Sequence, residues 1–396
     1  MLLVGCPSPG TNVSATDTVK IGFIAPLSGG DATLGQGGLN SAKLAIEQIN
    51  AAGGVNGKQL ELLVKDDAGD VEVGAAAAQD LKAKGVVAVI GPFYSGIAKS
   101  AVEQVLKAAG IPAIGPSTTS SALTSFDDGG LFFRTIASDA IQGKALSKLI
   151  RDNGKSKLAI FYRDNTYGSP FAEVLADDFA SHSGHSAVKI NYGDTDAPDY
   201  NALKSQIGDA NAIALIGYTV DGTKLFRDWA TAQEFSGLPW YFSESYRDSS
   251  FAENISDASK INGMMGTYPV SNGTHFAAFQ ADFKKRFGEN AGYFTENTYD
   301  ATMLIALAMA QGGANTSEAI KQNVIAVSKG GTKQNGIGSD GFKDAVSKIK
   351  SGVDLDFEGA SGNVDLDDNG DVTTASYVVW KWQDGKPVNT DQILSF

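Results

Sequence analysis

Cysteine occurs once in this chain of 396 residues, as Cys6. An intrachain disulfide is therefore excluded, and so is a zinc site built on thiolates. Positive charge is short as well: 32 Lys and Arg against 45 Asp and Glu leave a formal charge of −13. Nucleic acid and anionic membrane surfaces both need a basic footprint, so neither is expected as a partner. No run of about 18 apolar residues is present, so no segment reads as a membrane-spanning helix. Histidine is limited to three residues. His182 and His185 stand close together but read as surface residues of a polar turn, since no third metal ligand is evident.

An apolar content of 42% and a charged content of 19% are ordinary for a folded chain. The length allows two or three domains. From Val19 onward, apolar strand-like runs alternate with helical patterns. Leu39, Ala42, Ile46 and Ile49 recur at helical spacing and stop at Ala52-Gly53-Gly54. The rhythm starts again after Leu131–Thr135, with a strand at 158–162 and a helical stripe through Phe171, Val174, Leu175 and Phe179. Asp199 is placed to cap the next helix. Beyond 274 the pattern is mostly helical, ending in strands near 363–367 and 375–383. Such alternation indicates βα units on a parallel sheet in an α/β protein, and two sets of similar length suggest two lobes.

Two loops carry the first chemical signal. Val86–Ile90 runs into Gly91-Pro92-Phe93-Tyr94-Ser95, and Ile111–Ile114 into Gly115-Pro116-Ser117-Thr118-Thr119. Both lie after a strand and open a helix, at the edge where open parallel sheets bind ligands. Free backbone N–H groups beside Ser and Thr hydroxyls suit a small carboxylate. In the second βα set Tyr167, Tyr218 and Glu244 also sit where strands end. If the lobes face one another, donors at Ser95 and Thr119 oppose an acceptor at Glu244, which is the polarity of an amino-acid zwitterion.

Other motifs fall short. Gly35–Asn40 lacks the last glycine of a dinucleotide fingerprint. No G-x-S-x-G surrounds Ser95 or Ser117. Asp365–Asp371 matches half a calcium loop, but Ser376 replaces the bidentate Glu, and Asp368-Asn369-Gly370 reads as a hairpin turn. No nucleophile–base set accompanies the cleft residues, so no enzyme activity and no cofactor or metal are expected.

The segments Ile21–Gly29, Ile49–Lys58, Lys65–Asp70, Val89–Pro92, Tyr167-Gly168, Thr298–Ala301 and Glu358–Gly362 resemble, in order, the leucine/isoleucine/valine-binding proteins of ABC transporters. The resemblance covers nearly everything after about residue 18. It implies a type I periplasmic binding fold, an α/β protein of two doubly wound parallel-sheet lobes joined by three hinge crossovers, with hinges near Thr135–Ser138, Thr267–Val270 and 365–376. The N-terminal lobe is then 18–136 with 269–370, and the C-terminal lobe 137–268 with 371–396. It further implies that Ser95 and Thr119 hold a ligand carboxylate, while the Ser117 carbonyl, the Thr119 hydroxyl and Glu244 hold its ammonium. Tyr167 and Tyr218 would cover the ligand, and Leu34, Tyr94 and Tyr299 would border its side chain. Leu34 stands where leucine-type members carry an aromatic residue, so a preference for leucine does not transfer.

Leu3-Val4-Gly5-Cys6 resembles a bacterial lipobox, followed by a tether over 7–17 rich in Pro, Ser, Thr and Gly. Only five residues precede Cys6, so most of a secretion signal is missing from this stretch. The expectation is an extracytoplasmic, lipid-anchored monomeric receptor, meeting the membrane through Cys6 alone and delivering an amino acid, branched-chain or a similar aliphatic or polar one, to an ABC permease. The rival expectations are a sensor module for an amide, urea or aliphatic acid and, more weakly, an α/β enzyme.

Overall fold

A computed structural model describes residues 18–231, 237–255, 257–270 and 273–396. Cys6 and the tether lie outside the described residues. The first sheet takes its strands from the first third of the chain: β1 Thr18–Ala25, β2 Gln59–Asp66, β3 Ala88–Ile90, β4 Ala113–Gly115 and β5 Phe132–Arg134. Their spatial order is β2-β1-β3-β4-β5, all parallel. The chain turns one way from β1 to β2 and the other way from β2 to β3. The crevice between the carboxyl ends of β1 and β3 is thus a topological switch point.

The second sheet contains β6 Lys157–Tyr162, β7 Ser186–Asn191, β8 Ala212–Ile216, β9 Trp240–Phe242 and β10 Met265–Pro269. After a short two-stranded parallel sheet in between (β11 Thr332–Asn335, β12 Leu355–Glu358), β13 Ser376–Gln383 and β14 Lys386–Ser395 join its far edge. The order is β14-β13-β10-β9-β8-β6-β7, with β13 and β14 antiparallel to their neighbours. Its switch point lies between β6 and β8. Pro269, allotted to the first lobe by the resemblance, is the last residue of β10 in the second sheet.

Local chemistry explains most of the helices. Helix Ala32–Ala51 buries Leu39, Ala42, Ile46 and Ile49 on one face, and the Gly54 N–H closes its end on the Ile49 carbonyl at 3.0 Å. Asp70 caps helix Val71–Ala83 through the N–H groups of Glu72 and Val73, and Asp199 caps its helix through Asn201. Helices Ala32–Ala51 and Thr295–Gln311 cover one face of the first sheet, and Val71–Ala83 with Ser95–Ala101 the other. In the second lobe an aromatic cluster of Phe161, Phe226, Trp229, Trp240, Phe242, Phe251, Trp380 and Trp382 fills one face. Each such side chain contributes about 1.5–3 kcal/mol by leaving water.

Some sequence expectations differ from the fold. A strand at 363–367 is not formed. That stretch holds only isolated bridges, Glu358 with Asn363 and Leu366 with Val372, because Asp367 folds back to accept from the N–H groups of Asn369 and Asp371. Strands β11, β12 and β14 were not anticipated. β14 is exposed along most of its length, so no alternation marks it.

The backbone passes between the sheets after β5, after β10 and before β13. Reciprocal hydrogen bonds join Thr135 and Asn297 at the first crossing, hydroxyl to carbonyl at 2.8 Å and amide to carbonyl at 2.6 Å.

Candidate ligand-binding cleft

Loops from the two switch points meet in a cavity of about 70 Å³ between the lobes. The first lobe contributes Asp31, Leu34, Phe93, Tyr94, Ser95, Ser117 and Thr119; the second contributes Tyr167, Tyr218, Thr219, Glu244, Ser245 and Asp248; Tyr293 and Phe294 complete the wall. Eight of the nine residues singled out from sequence therefore surround one space.

Tyr299 does not. It is fully buried, donates its hydroxyl to Gln48 Oε1 and accepts from Gly338 N–H at 2.9 Å. Its ring packs on Phe279, 5.2 Å between centroids. Its place on helix Thr295–Gln311 turns it toward helix Ala32–Ala51 and into the lobe core. Tyr293 and Phe294, just ahead of that helix, take the position at the cleft.

The Ser95 loop owes its shape to Gly91. This residue has a φ of +97°, and any Cβ there would strike the Ile24 carbonyl. Tyr94 then stands at the N-cap of helix Ser95–Ala101 without a side-chain cap. In the second loop Ser117 donates to the Phe93 carbonyl at 2.7 Å, tying the two loops together. The Asp139 N–H donates to the Thr119 carbonyl at 2.7 Å. Arg134, wholly buried, donates to the carbonyls of Thr118 at 3.1 Å and Ser120 at 2.8 Å while pairing with Asp371. The strand-end arginine thus sets the backbone that presents Thr119.

Across the cleft, Glu244 is almost fully buried. Tyr167 Oη donates to Oε1 and Gln142 Nε2 to Oε2, each at 2.8 Å. Burial nevertheless pushes its carboxyl up, because these bonds only partly replace water. Asp139 lies next to it and was not identified from the sequence. It is completely buried, and neither carboxyl oxygen has a hydrogen-bond partner of normal geometry, although the nearby Thr119 hydroxyl favours its charged form. Burial first, and the Glu244 charge second, hold the Asp139 carboxyl well above the usual range. The Arg134 charge opposes this shift, but its guanidinium is paired with Asp371, so the two adjacent carboxyls are suited to receive an ammonium group.

Aromatic rings close the mouth. Tyr218 stacks on Tyr167 at 5.6 Å and meets Tyr94 of the opposite lobe edge-on at 5.1 Å. Asp221 fixes Tyr218 by accepting its N–H at 2.7 Å. Ser120 Oγ donates across to the Thr166 carbonyl at 2.5 Å, so the lobes are in contact. Leu34 touches both lobe cores.

Asp31, Phe93, Thr219, Ser245, Asp248, Tyr293 and Phe294 also line the cleft but were not selected from sequence. Only Asp31 and Asp248 carried a signal, as acidic residues immediately ahead of helices. No group of acidic, histidine or cysteine side chains able to hold a metal occurs among the described residues. No helix among them is long and apolar enough to cross a membrane.

Two facing α/β lobes on three crossings, with polar groups converging between their switch points, define a protein that encloses a small solute. The chain belongs to the periplasmic binding protein family, whose model matches residues 18–386. It is 29% identical over 384 residues to the leucine-, isoleucine-, valine-, threonine- and alanine-binding protein of Pseudomonas aeruginosa, covering 93% of this chain and 91% of that one. It is 27% identical over 364 residues to BasB, the substrate-binding protein of a chemotactic signal transduction system in Halobacterium salinarum, covering 89% and 84% respectively. The structure of LivJ, a branched-chain amino acid transporter substrate-binding protein from Streptococcus pneumoniae in complex with isoleucine, superposes with a TM-score of 0.74 at 26% identity, covering 96% of this chain and 99% of that one.

Proposed function

We propose that this protein is the extracytoplasmic solute receptor of an ABC importer, closing its lobes on an amino acid and presenting the closed form to the permease. The observation that carries this reading is the convergence of Ser95 and Thr119 from one lobe with Glu244 from the other on a single cavity. In it, hydroxyl and backbone N–H groups at Ser95 and Thr119 take the carboxylate. The Ser117 carbonyl, the Thr119 hydroxyl and Glu244, backed by Asp139, take the ammonium. Tyr167 and Tyr218 cover the ligand. The lobes are 18–136 with 270–370 and 137–269 with 371–396, moving about their three crossings. Ligand contacts reach both lobes only on closure, so binding free energy shifts the open–closed equilibrium. The protein performs no chemistry on its ligand, acts as a monomer, and is held at the membrane by lipid on Cys6.

Support comes from the amino-acid-binding relatives together with the charge layout of the cleft. A thermal-shift screen of the twenty amino acids, urea, aliphatic amides and aromatic acids tests it. An amino acid at a hundred times its Kd stabilises the fold by about 2.7 kcal/mol. Silence across every amino acid rejects the reading. The likeness to BasB favours one second reading, a receptor that reports its ligand to a chemotaxis transducer. Ligand-dependent stimulation of ATP hydrolysis by a co-reconstituted importer separates the two.

A further inference from the structure

We infer that the cleft selects an α-amino acid whose side chain carries its own positive charge, held between Asp31 of one lobe and Asp248 of the other. This rests on the amino-acid reading above and narrows it.

Among the described residues the cleft is lined by three carboxylates, Asp31, Glu244 and Asp248, and by no lysine or arginine. A ligand ammonium answers Glu244. Asp31 and Asp248 remain, and they repel each other. Asp31 occupies the N-cap position of helix Ala32–Ala51, yet its side chain makes no cap hydrogen bond. Asp70, Asp199 and Asp257 at comparable positions all cap their helices. The Asp31 carboxylate is instead turned to the cleft, where Tyr94 donates to Oδ2. Asp248 uses Oδ1 to cap helix Ser249–Asn254 at Ser250, 2.8 Å away, and still lines the cavity.

Arg163, whose positive charge acts on Asp31, is already committed. It pairs with Asp194 at 2.5 Å, Asp196 at 2.6 Å and Asp221 at 3.5 Å. Its guanidinium lies over the Tyr218 ring rather than in the cleft. Burial first and then the charges of Asp248 and Asp196 raise the Asp31 carboxyl, against the opposing effects of Tyr94 and Arg163. Closure thus brings two like charges together in a desolvated space. An aliphatic side chain leaves that repulsion in place, whereas an ammonium or guanidinium removes it. Tyr94, Tyr293 and Phe294 offer apolar surface and ring faces for the methylene stem and its cation.

Titration calorimetry on the full chain with lysine, ornithine, arginine, leucine and norleucine tests this, norleucine being the neutral counterpart of lysine. The expected result is that at least one basic amino acid binds tenfold or more tightly than norleucine. Asp248→Asn, which keeps a capping residue, and Asp31→Asn should each weaken that binding about tenfold, the equivalent of about 1.4 kcal/mol, and should lower the preference for the basic ligand over norleucine by a similar factor. Circular dichroism checks that both variants fold. If leucine or norleucine binds more tightly than every basic amino acid, the inference is overturned while the amino-acid receptor stands. If both Asn variants bind the basic ligand like the parent, it is equally overturned. Binding of benzoate or urea with no amino acid bound overturns both readings.

Discussion

Arg134 and Asp371 are joined by two hydrogen bonds of 2.6 Å, Nε to Oδ1 and Nη2 to Oδ2. The pair links the end of β5 to the segment entering β13, so it ties together two of the three passages between lobes. The same guanidinium holds the loop that presents Thr119.

Removing the carboxylate leaves a buried guanidinium uncompensated. Asp371→Ala should cost about 3–5 kcal/mol of stability, read as a shift in the urea midpoint. It should also weaken ligand binding, because the Thr118–Ser120 backbone loses its anchor. A midpoint within experimental error of the parent would show that the pair is not structural.

Glu244→Gln keeps the shape of the side chain but removes the charge facing the ligand. Affinity for the amino-acid ligand should fall by about 2–5 kcal/mol in calorimetry, with the melting temperature of the free protein unchanged or raised. Unaltered affinity would take Glu244 out of the binding site.

The pH dependence has opposite signs for stability and for affinity. Burial raises Glu244 from its ordinary 4.5 to about 7 and raises Asp139 beside it. Between those values the folded protein holds a proton that the unfolded chain has lost. Stability of the ligand-free protein therefore falls as pH rises from about 5 to 7. Binding an ammonium needs the ionised carboxyl, so affinity rises over the same window, by at most about tenfold per pH step of one. Melting curves and calorimetry at pH 5, 6, 7 and 8 check both slopes, and Glu244→Gln should flatten them.

Tyr299 supplies a contrasting control. With its hydroxyl shared between Gln48 and Gly338 inside the lobe, Tyr299→Phe should lower stability by about 1–3 kcal/mol and leave the Kd within about twofold. A selective loss of affinity would return Tyr299 to the ligand.

What could be read in the residues themselves was local and periodic. The spacing of Leu39, Ala42, Ile46 and Ile49 marked a helix, Asp199 a cap, and Gly91 and Gly115 the ends of buried strands. Strand ends in a parallel sheet share an edge, which is why Ser95, Ser117 and Thr119 were identified together. Asp139 gave no such sign, since its meaning comes from Glu244, more than a hundred positions away. Tyr299 misled for a related reason: Thr298-Tyr299-Asp300 marks the right helix, but its rotation is set by packing against Phe279.

Hydrophobic period and turn chemistry act over a few residues, so the sequence by itself determined the βα rhythm, the two-lobed class and the loops that bear hydroxyls. Tertiary structure alone decided which lobe faces which. Asp31 opposes Asp248, Tyr94 meets Tyr218, and Arg134 finds Asp371 only because three passages of the chain bring the two sheets' switch points together. Distance in space between groups far apart along the chain is a property of the packed whole, and the charges that choose a ligand depend on that distance.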